Sequence, residues 1–594
     1  MLSFPAAALR FHAAPRLAAA LMTLTLIAGP APASADDLNM LVADYEHYSL
    51  QQDPVTAGQQ GDQDALKRWP DDSPAADAAR KKALEGFRSR LDALGKTPLQ
   101  GEDALNREAM SRQVGRSYEG LSFDETRFPF AADDGFFNIP DYVARGTVIR
   151  TQADADSWLA RLDALPAFYA TEVANARRGL ATDFVQPAPV VDAALRVTKA
   201  QSETPAAQSS LLLPFATLPD NFSAERQKAL RAKALQLVSD KIKPAQRELL
   251  EFLEKTYLPK ARAKLGIEAT PNGAAYYAFL VRRHTTTDIT PDQVHELGLK
   301  EVARIRAEMN GVITETGFHG NFKEFQADLR SNPKFYVTSR QALLEKASEI
   351  AKRIDDQLPK WFGLLPRLPY GVRPVPREIE ESYTSARYWP GSPEQGIAGG
   401  YMVNTSHLDK RPLYEMPSLT LHEAVPGHHL QIALAQENKA IPLFRRNDDL
   451  TAYVEGWALY SEKLGIEMGI YRDPYENFGR LSMEMWRACR LVVDTGLHHK
   501  GWTREQAIAY MSDNTVLSDK NIEVEVDRYI GWPGQALGYK IGELKILELR
   551  HRAEAALGDR FDIRKFHDLV LGEGPLPLDL LEERVNAWIA SSKA

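Results

Sequence analysis

The chain has 594 residues, 44% of them hydrophobic and 26% charged, with a formal charge of −8 at pH 7. That composition belongs to a folded globular protein and excludes disordered, collagen-like and disulfide-dense classes. The acidic balance argues against nucleic acid as a partner. The single cysteine, Cys489, leaves no intramolecular disulfide, so core burial must supply the stability.

Residues 1–35 differ from the rest. Arg10 and Arg16 precede an apolar run over 17–29, and Ala33-Ser34-Ala35 offers a small-residue cleavage site ahead of Asp36-Asp37. These are the parts of a cleavable signal peptide, which predicts a periplasmic or secreted protein. Loss of Arg10 and Arg16 would leave 70 basic against 80 acidic side chains, a formal charge of −10. No cysteine stands at the cleavage site to carry a lipid, and no later segment has the length and apolarity of a membrane span. The mature chain is therefore expected to be free of the membrane.

Helical periodicity dominates the mature chain. Ser73-Pro74 opens a pattern reaching residue 94, and similar patterns cover 153–180 and 223–265, separated by connectors such as Phe128-Pro129-Phe130 and Leu213-Pro214-Phe215. Thr290-Pro291-Asp292-Gln293 starts a further helix to about residue 309, with proline in its first turn. A division near residue 285 gives a helical N-terminal lobe, 36–285, and a catalytic C-terminal lobe, 286–594. Frequent proline and glycine over 363–400 predict loops with short extended pieces. Residues 399–405 then read as a strand whose edge could hold an extended peptide by backbone hydrogen bonds.

The run Leu421-His422-Glu423-Ala424-Val425-Pro426-Gly427-His428-His429 sets three imidazoles around one carboxylate. Histidine nitrogens bind Zn²⁺, and a carboxylate beside a ligand can take a proton from a water that the ion activates. In H-E-x-x-H the second histidine falls one helical turn after the first, on the same face; here Pro426 holds that position. In an undisturbed helix His429 shares the His422 face but lies roughly 10 Å along the axis, at about 1.5 Å per residue. A bulge at Pro426-Gly427 would loop out the extra residues and return His428 to that face. This favours His428 as the second ligand and leaves His429 open.

Zinc commonly takes three protein ligands. Asn447-Asp448-Asp449 resembles a cap for a helix containing Val454-Glu455-Gly456-Trp457 and Glu462. Glu455 has apolar neighbours, and a buried carboxylate needs a cation or hydrogen bonds. Glu455 is therefore the candidate third ligand, with Glu462, two turns on, as a supporting residue.

H-E-x-x-P-G-H-H followed by V-E-G-W-A-L-Y-S-E resembles the bacterial family catalogued as domain of unknown function 885, predicted zinc peptidases. Thr285-Thr286-Thr287, His295-Glu296-Leu297-Gly298-Leu299, Asp494-Thr495-Gly496-Leu497-His498 and Tyr529-Ile530-Gly531-Trp532-Pro533-Gly534-Gln535 also look like that family's, so the resemblance covers most of the mature chain. More distantly, Gly427-His428 and Val454-Glu455 are similar to elements of the thimet-oligopeptidase-like and carboxypeptidase Taq-like helical peptidases. Aligned that way, the Gly-His pairs coincide, and dipeptidyl peptidase III shows that this broad class tolerates a lengthened motif. The resemblance implies a mainly α, bilobed, zincin-like metallopeptidase with a small β element beside the active-site helix. It also implies an enclosed cleft suited to short peptides.

On that reading His422, His428 and Glu455 hold Zn²⁺, and Glu423 is the general base that returns the proton to the leaving amine. The developing oxyanion needs a second donor. Tyr539, similar in placement to the late tyrosine-rich loop of the oligopeptidases, is the first candidate, followed by Tyr529 and His498; His499 reads as exposed. His295-Glu296 lacks a later histidine, and Glu548-x-x-His551 lacks the second copy that a di-iron bundle needs. No G-x-S-x-G elbow occurs. The rival function is a non-catalytic peptide-binding protein on a zincin-like scaffold, and retention of Glu423 argues against it.

Overall fold

Local capping sets many of the helix starts. In the computed structural model, which describes residues 35–593 apart from 96–98, 132–133, 378 and 394–395, Ser73 Oγ accepts from the Ala76 amide at 3.2 Å and opens Pro74–Leu94. Reciprocal Thr-Asp and Thr-Gln caps open Gln152–Ala181 and Pro291–Glu315. The latter passes its expected end near residue 309 because Val312 and Ile313 continue the buried stripe. The pattern over 223–265 resolves into Ala224–Leu237 and Lys243–Phe252, each followed by a π-helical turn. The expected signal segment lies outside the described residues except for Ala35, which begins the first helix. Among the described residues no helix is long and apolar enough to cross a membrane.

The protein is mainly helical, and its described residues form two hydrophobic cores. One gathers Leu41, Val114 and Tyr277 with Leu421, Trp457 and Leu549; the other gathers Trp158, Val238 and Tyr257 with Ile305, Val493 and Ile530. Each draws residues from both sides of residue 285. The Pro474–His498 helix serves both, giving Met483 and Leu491 to the first and Met485 and Cys489 to the second. It is the wall against which the site is built.

The β element is a three-stranded sheet. Gly399–Val403 lies in its middle, parallel to Tyr370–Pro374 and antiparallel to Ala386–Trp389, with Tyr388 opposite Tyr401. The expectation that residues 399–405 offer an edge is thus corrected, since that strand is paired on both sides. The edge that packs against the Met416–Glu423 helix is Ala386–Trp389.

Candidate metal centre

The histidine-rich run is two helices with a break, rather than one bulged helix. Met416–Glu423 stops at Ala424, and His428–Glu437 starts after Gly427. The Val425–Pro426 peptide is cis. The Gly427 amide donates to Leu421 O at 2.9 Å, and a Cβ on Gly427 would stand 2.0 Å from His422 O. Only glycine allows so close an approach. Trp457 Nε1 donates to Pro426 O at 2.8 Å and ties the break to the Thr451–Glu467 helix.

The break turns successive histidines to opposite sides. His428 Nε2 comes to 3.5 Å from Glu455 Oε2, and His422 Nε2 to 3.4 Å from the same oxygen. One ligand atom from each of the three residues lies within 4.8 Å of the others. His429 faces the sheet, where its Nδ1 accepts from Tyr388 Oη at 2.9 Å and its Nε2 donates to Leu368 O at 3.0 Å. Burial pushes the His429 imidazole down to about 4, keeping it neutral.

Around the cluster the outer partners are specific. His422 Nδ1 donates to Glu462 Oε1 at 2.8 Å, which directs Nε2 inward, and Arg487 stands 3.4 Å from that same Glu462 oxygen. Glu423 Oε2 accepts from the Tyr388 amide at 2.8 Å. Side-chain exposure rises from 4% at His422 to 12% at His428 and 19% at Glu455, so the cluster opens on the side of the last two. Burial opposes charge on His422, but Glu455 and Glu462 outweigh it and push the imidazole up to about 9. Burial also opposes charge on Glu455, yet His428 and His422 hold it well below the usual carboxylate range. The expected cap does not form: Leu450 is the cap residue without a side-chain bond, and Asp448 pairs with Arg116 at 2.7 Å.

The donor set fits a tetrahedral cation. With ligand bonds of about 2.1 Å, neighbouring ligand atoms lie about 3.4 Å apart, close to the two separations seen here. Glu455 Oε2 is buried and accepts no hydrogen bond, which is costly unless a cation sits beside it.

The family described as "Bacterial protein of unknown function (DUF885)" matches residues 54–585. The chain belongs to this family. A crystal structure of a "putative lipoprotein" from Colwellia psychrerythraea is similar to this DUF885 chain at TM-score 0.89 and 30% identity, covering 94% of this chain and all of the other. A "putative lipoprotein of unknown function" from Shewanella oneidensis shares the fold at TM-score 0.69 and 20% identity, over 93% of this chain and 99% of that one. No curated protein matches.

The remaining candidates of the DUF885 chain fall in different places. Gly542 packs on Ala452 and Gly456, and Gly538 on Thr451 and Ala452, so the Gly538–Leu557 and Thr451–Glu467 helices run side by side in the same direction. Helical phase then puts Tyr539, one residue after Gly538, and Glu455, one before Gly456, on the same side of the seam. The Tyr529 hydroxyl is saturated: it accepts from Arg490 Nε (3.0 Å) and Trp486 Nε1 (3.1 Å) and donates to Glu525 (2.7 Å). His498 spends both ring nitrogens on backbone, accepting from Ile267 N at 3.1 Å and donating to Tyr529 O at 2.9 Å. His499 contacts Glu268 and Asp292. Nothing in these contacts joins Tyr529, His498 or His499 to the cluster. Sequence reasoning missed Tyr388 and Arg487; the first has no sequence signal, and the second is one of several charges spread along its helix, with nothing in the spacing to single it out.

Proposed function

We propose that this protein is an exported zinc-dependent peptidase with a zincin-like site, hydrolysing peptide bonds in short peptides. The observation that carries the reading is the buried, unpartnered Glu455 Oε2 facing the Nε2 atoms of His422 and His428 at tetrahedral spacing. His422, His428 and Glu455 would hold the ion, which when bound polarises a carbonyl and makes water acidic enough to lose a proton near neutral pH. Glu423 sits next in sequence to His422, and the Tyr388 amide fixes one carboxylate oxygen. Its other oxygen takes a proton from the attacking water and delivers it to the leaving nitrogen. Tyr539, on the Glu455 side of the helix seam, would donate to the developing oxyanion.

Substrate geometry would come from the outer strand, Ala386–Trp389. The Tyr388 N–H points away from the sheet toward Glu423, and backbone groups alternate along a strand, so those of Ala386 share that outward side. An extended peptide pairing there would run alongside Glu423. The leader pattern over 1–35 supports export, and the lipoprotein description of the two solved structures accords with it.

Purified protein is expected to bind one zinc and to cleave a mixed short-peptide library, with activity lost to a chelator and restored by zinc. Glu423→Gln should keep the metal and lower kcat by about 10²–10⁴-fold. Protein that takes up no zinc, and stays inert after zinc addition, would sink the reading.

A further inference from the structure

From Phe478 to His498 the wall helix is buried at every residue except Trp486, yet it carries three arginines. Arg480 pairs with Glu484 in a network in which Lys540 and Arg304 are met by Glu301 and Glu543. Arg487 and Arg490 are different. Both lie over the Trp486 ring, at 4.7 and 4.5 Å from its centroid, and Arg487 reaches the Glu462 carboxylate that holds His422.

Arg490 has one edge of its guanidinium filled and the other without a partner. Nε donates to Tyr529 Oη at 3.0 Å and Nη2 to Glu525 Oε2 at 3.1 Å, while Tyr529 Oη also donates to Glu525 and so braces the pair. Nη1 is buried and has no hydrogen-bond partner. A guanidinium presents five N–H groups in a rigid fork. With Nε and one Nη2 hydrogen engaged, the fork of Nη1 and the second Nη2 hydrogen remains for a two-oxygen acceptor.

The neighbouring arginines are better supplied. Arg487 stands against Glu462 and is also near Glu415, whereas Arg490 shares its one carboxylate, Glu525, with Arg528. The Arg490 guanidinium lies 4.3 Å from the Tyr539 ring centroid, one tyrosine ring away from the flank of the helix seam that bears Glu455.

We propose that Arg490, braced by Tyr529 and Glu525 and stacked on Tyr539, receives the free C-terminal carboxylate of a short peptide, so that the enzyme trims peptides from their C-terminal end. The inference rests on the peptidase reading. A terminal carboxylate is the one anion that every unmodified peptide carries whatever its sequence, and its two oxygens match the unpartnered fork. In the reaction the C–N bond breaks and a C–O bond forms from water. The acyl part leaves as a shortened peptide with a new carboxylate, and the proton ends on the amine of the released C-terminal residue or fragment.

The test compares one short peptide as free acid and as C-terminal amide, using the full zinc-loaded chain. The free acid is expected to have a kcat/KM about 100-fold or more above the amide, and Arg490→Met and Arg490→Lys should bring that ratio close to one, mainly through KM. Zinc content and circular dichroism establish that the variants are folded; should both fail to fold, the acid-to-amide ratio of the unaltered protein decides. Equal cleavage of the two forms, or a preference that survives in Arg490→Met, overturns the proposal. So does equally good cleavage of amidated peptides bearing a terminal Asp or Glu, which would make the fork a side-chain site. A separate binding arm uses zinc-loaded Glu423→Gln in calorimetry. If neither peptide is cleaved, the peptidase reading fails; tighter binding of the acid than the amide, lost on adding Arg490→Met, still upholds the anchor, and equal or no binding overturns it.

Discussion

Histidines occupy two contrasting regions of this molecule. At the helix break, the Nε2 atoms of His422 and His428 converge on one carboxylate oxygen that has no hydrogen bond. At the far end of the wall helix, His498 has both ring nitrogens satisfied by backbone groups; His567, on the Ile563–Gly572 helix, is likewise saturated, by Trp361 O and Tyr460 Oη. All four rings are largely buried, so burial does not separate ligand from staple. The difference lies in what each nitrogen faces: a saturated imidazole holds segments together, and an imidazole aimed at an unsatisfied carboxylate awaits a cation.

The sharpest way to break this contrast uses adjacent residues. His428→Ala is expected to lose stoichiometric zinc altogether, whereas His429→Gln should retain it, because His429 faces Tyr388 and Leu368. Metal content by mass spectrometry after dialysis reads both. Zinc kept by the first variant and lost by the second would reverse the assignment. Gly427→Ala tests whether the break itself carries the site. Its Cβ would stand 2.0 Å from His422 O and 2.5 Å from Leu421 O, so the two helix ends must part. A stability loss near the upper end of about 1–3 kcal/mol is expected, measured by urea unfolding of the metal-free protein, together with weakened zinc binding. A stable variant with full affinity would show that the close approach is dispensable.

Glu462→Gln is a smaller perturbation. The amide still faces His422 Nδ1 but removes the charge that orients and polarises the ring, so zinc affinity should fall by about 10–100-fold with the fold retained. Competition with a chromophoric chelator measures it. Unchanged affinity would assign Glu462 to the Arg487 contact alone.

The clustered His422, His428 and Glu455 were legible in sequence because their chemistry is dense: imidazoles and carboxylates amid apolar helix, with a proline and a glycine marking the irregularity. The choice between His428 and His429 was not, since it depends on backbone angles at Ala424 and Gly427 that residue spacing does not encode. The helices opened by Ser73 and Thr290 were legible through their caps, and the long Gln152–Ala181 helix through its periodicity. The outer strand was hidden. Ala386–Trp389 is four residues long, too short for alternation to register, and its part in holding Glu423 is played by a backbone amide. His498 misled for a related reason, because a histidine near the end of an apolar helix reads alike whether its partners are substrate or main chain.

That last ambiguity is open to a pH measurement. Burial pushes His498 down to about 3 in the folded protein, against an ordinary value near 6.5 in the unfolded chain. Between those limits the unfolded chain binds a proton that the folded one refuses, so acid favours unfolding; above about 6.5 the group contributes no slope. Asp494 works in the opposite direction nearby. Burial raises it to about 7, so the folded protein keeps a proton that the unfolded chain has lost, and stability from this group falls as pH rises from about 4 toward 7. The Tyr277 ring lies between the two, donating to Asp494 at 2.6 Å and tilted against His498 at 5.4 Å. The slopes partly cancel in the unaltered protein, and only a difference isolates His498. Urea unfolding at pH 7 and pH 5 should show that His498→Asn, though less stable at pH 7, loses less on acidification, by up to about 1.4 kcal/mol for each pH unit below 6.5. Parallel curves would mean that the folded protein accepts the proton, and His498 would then be free to act as an acid instead of a staple.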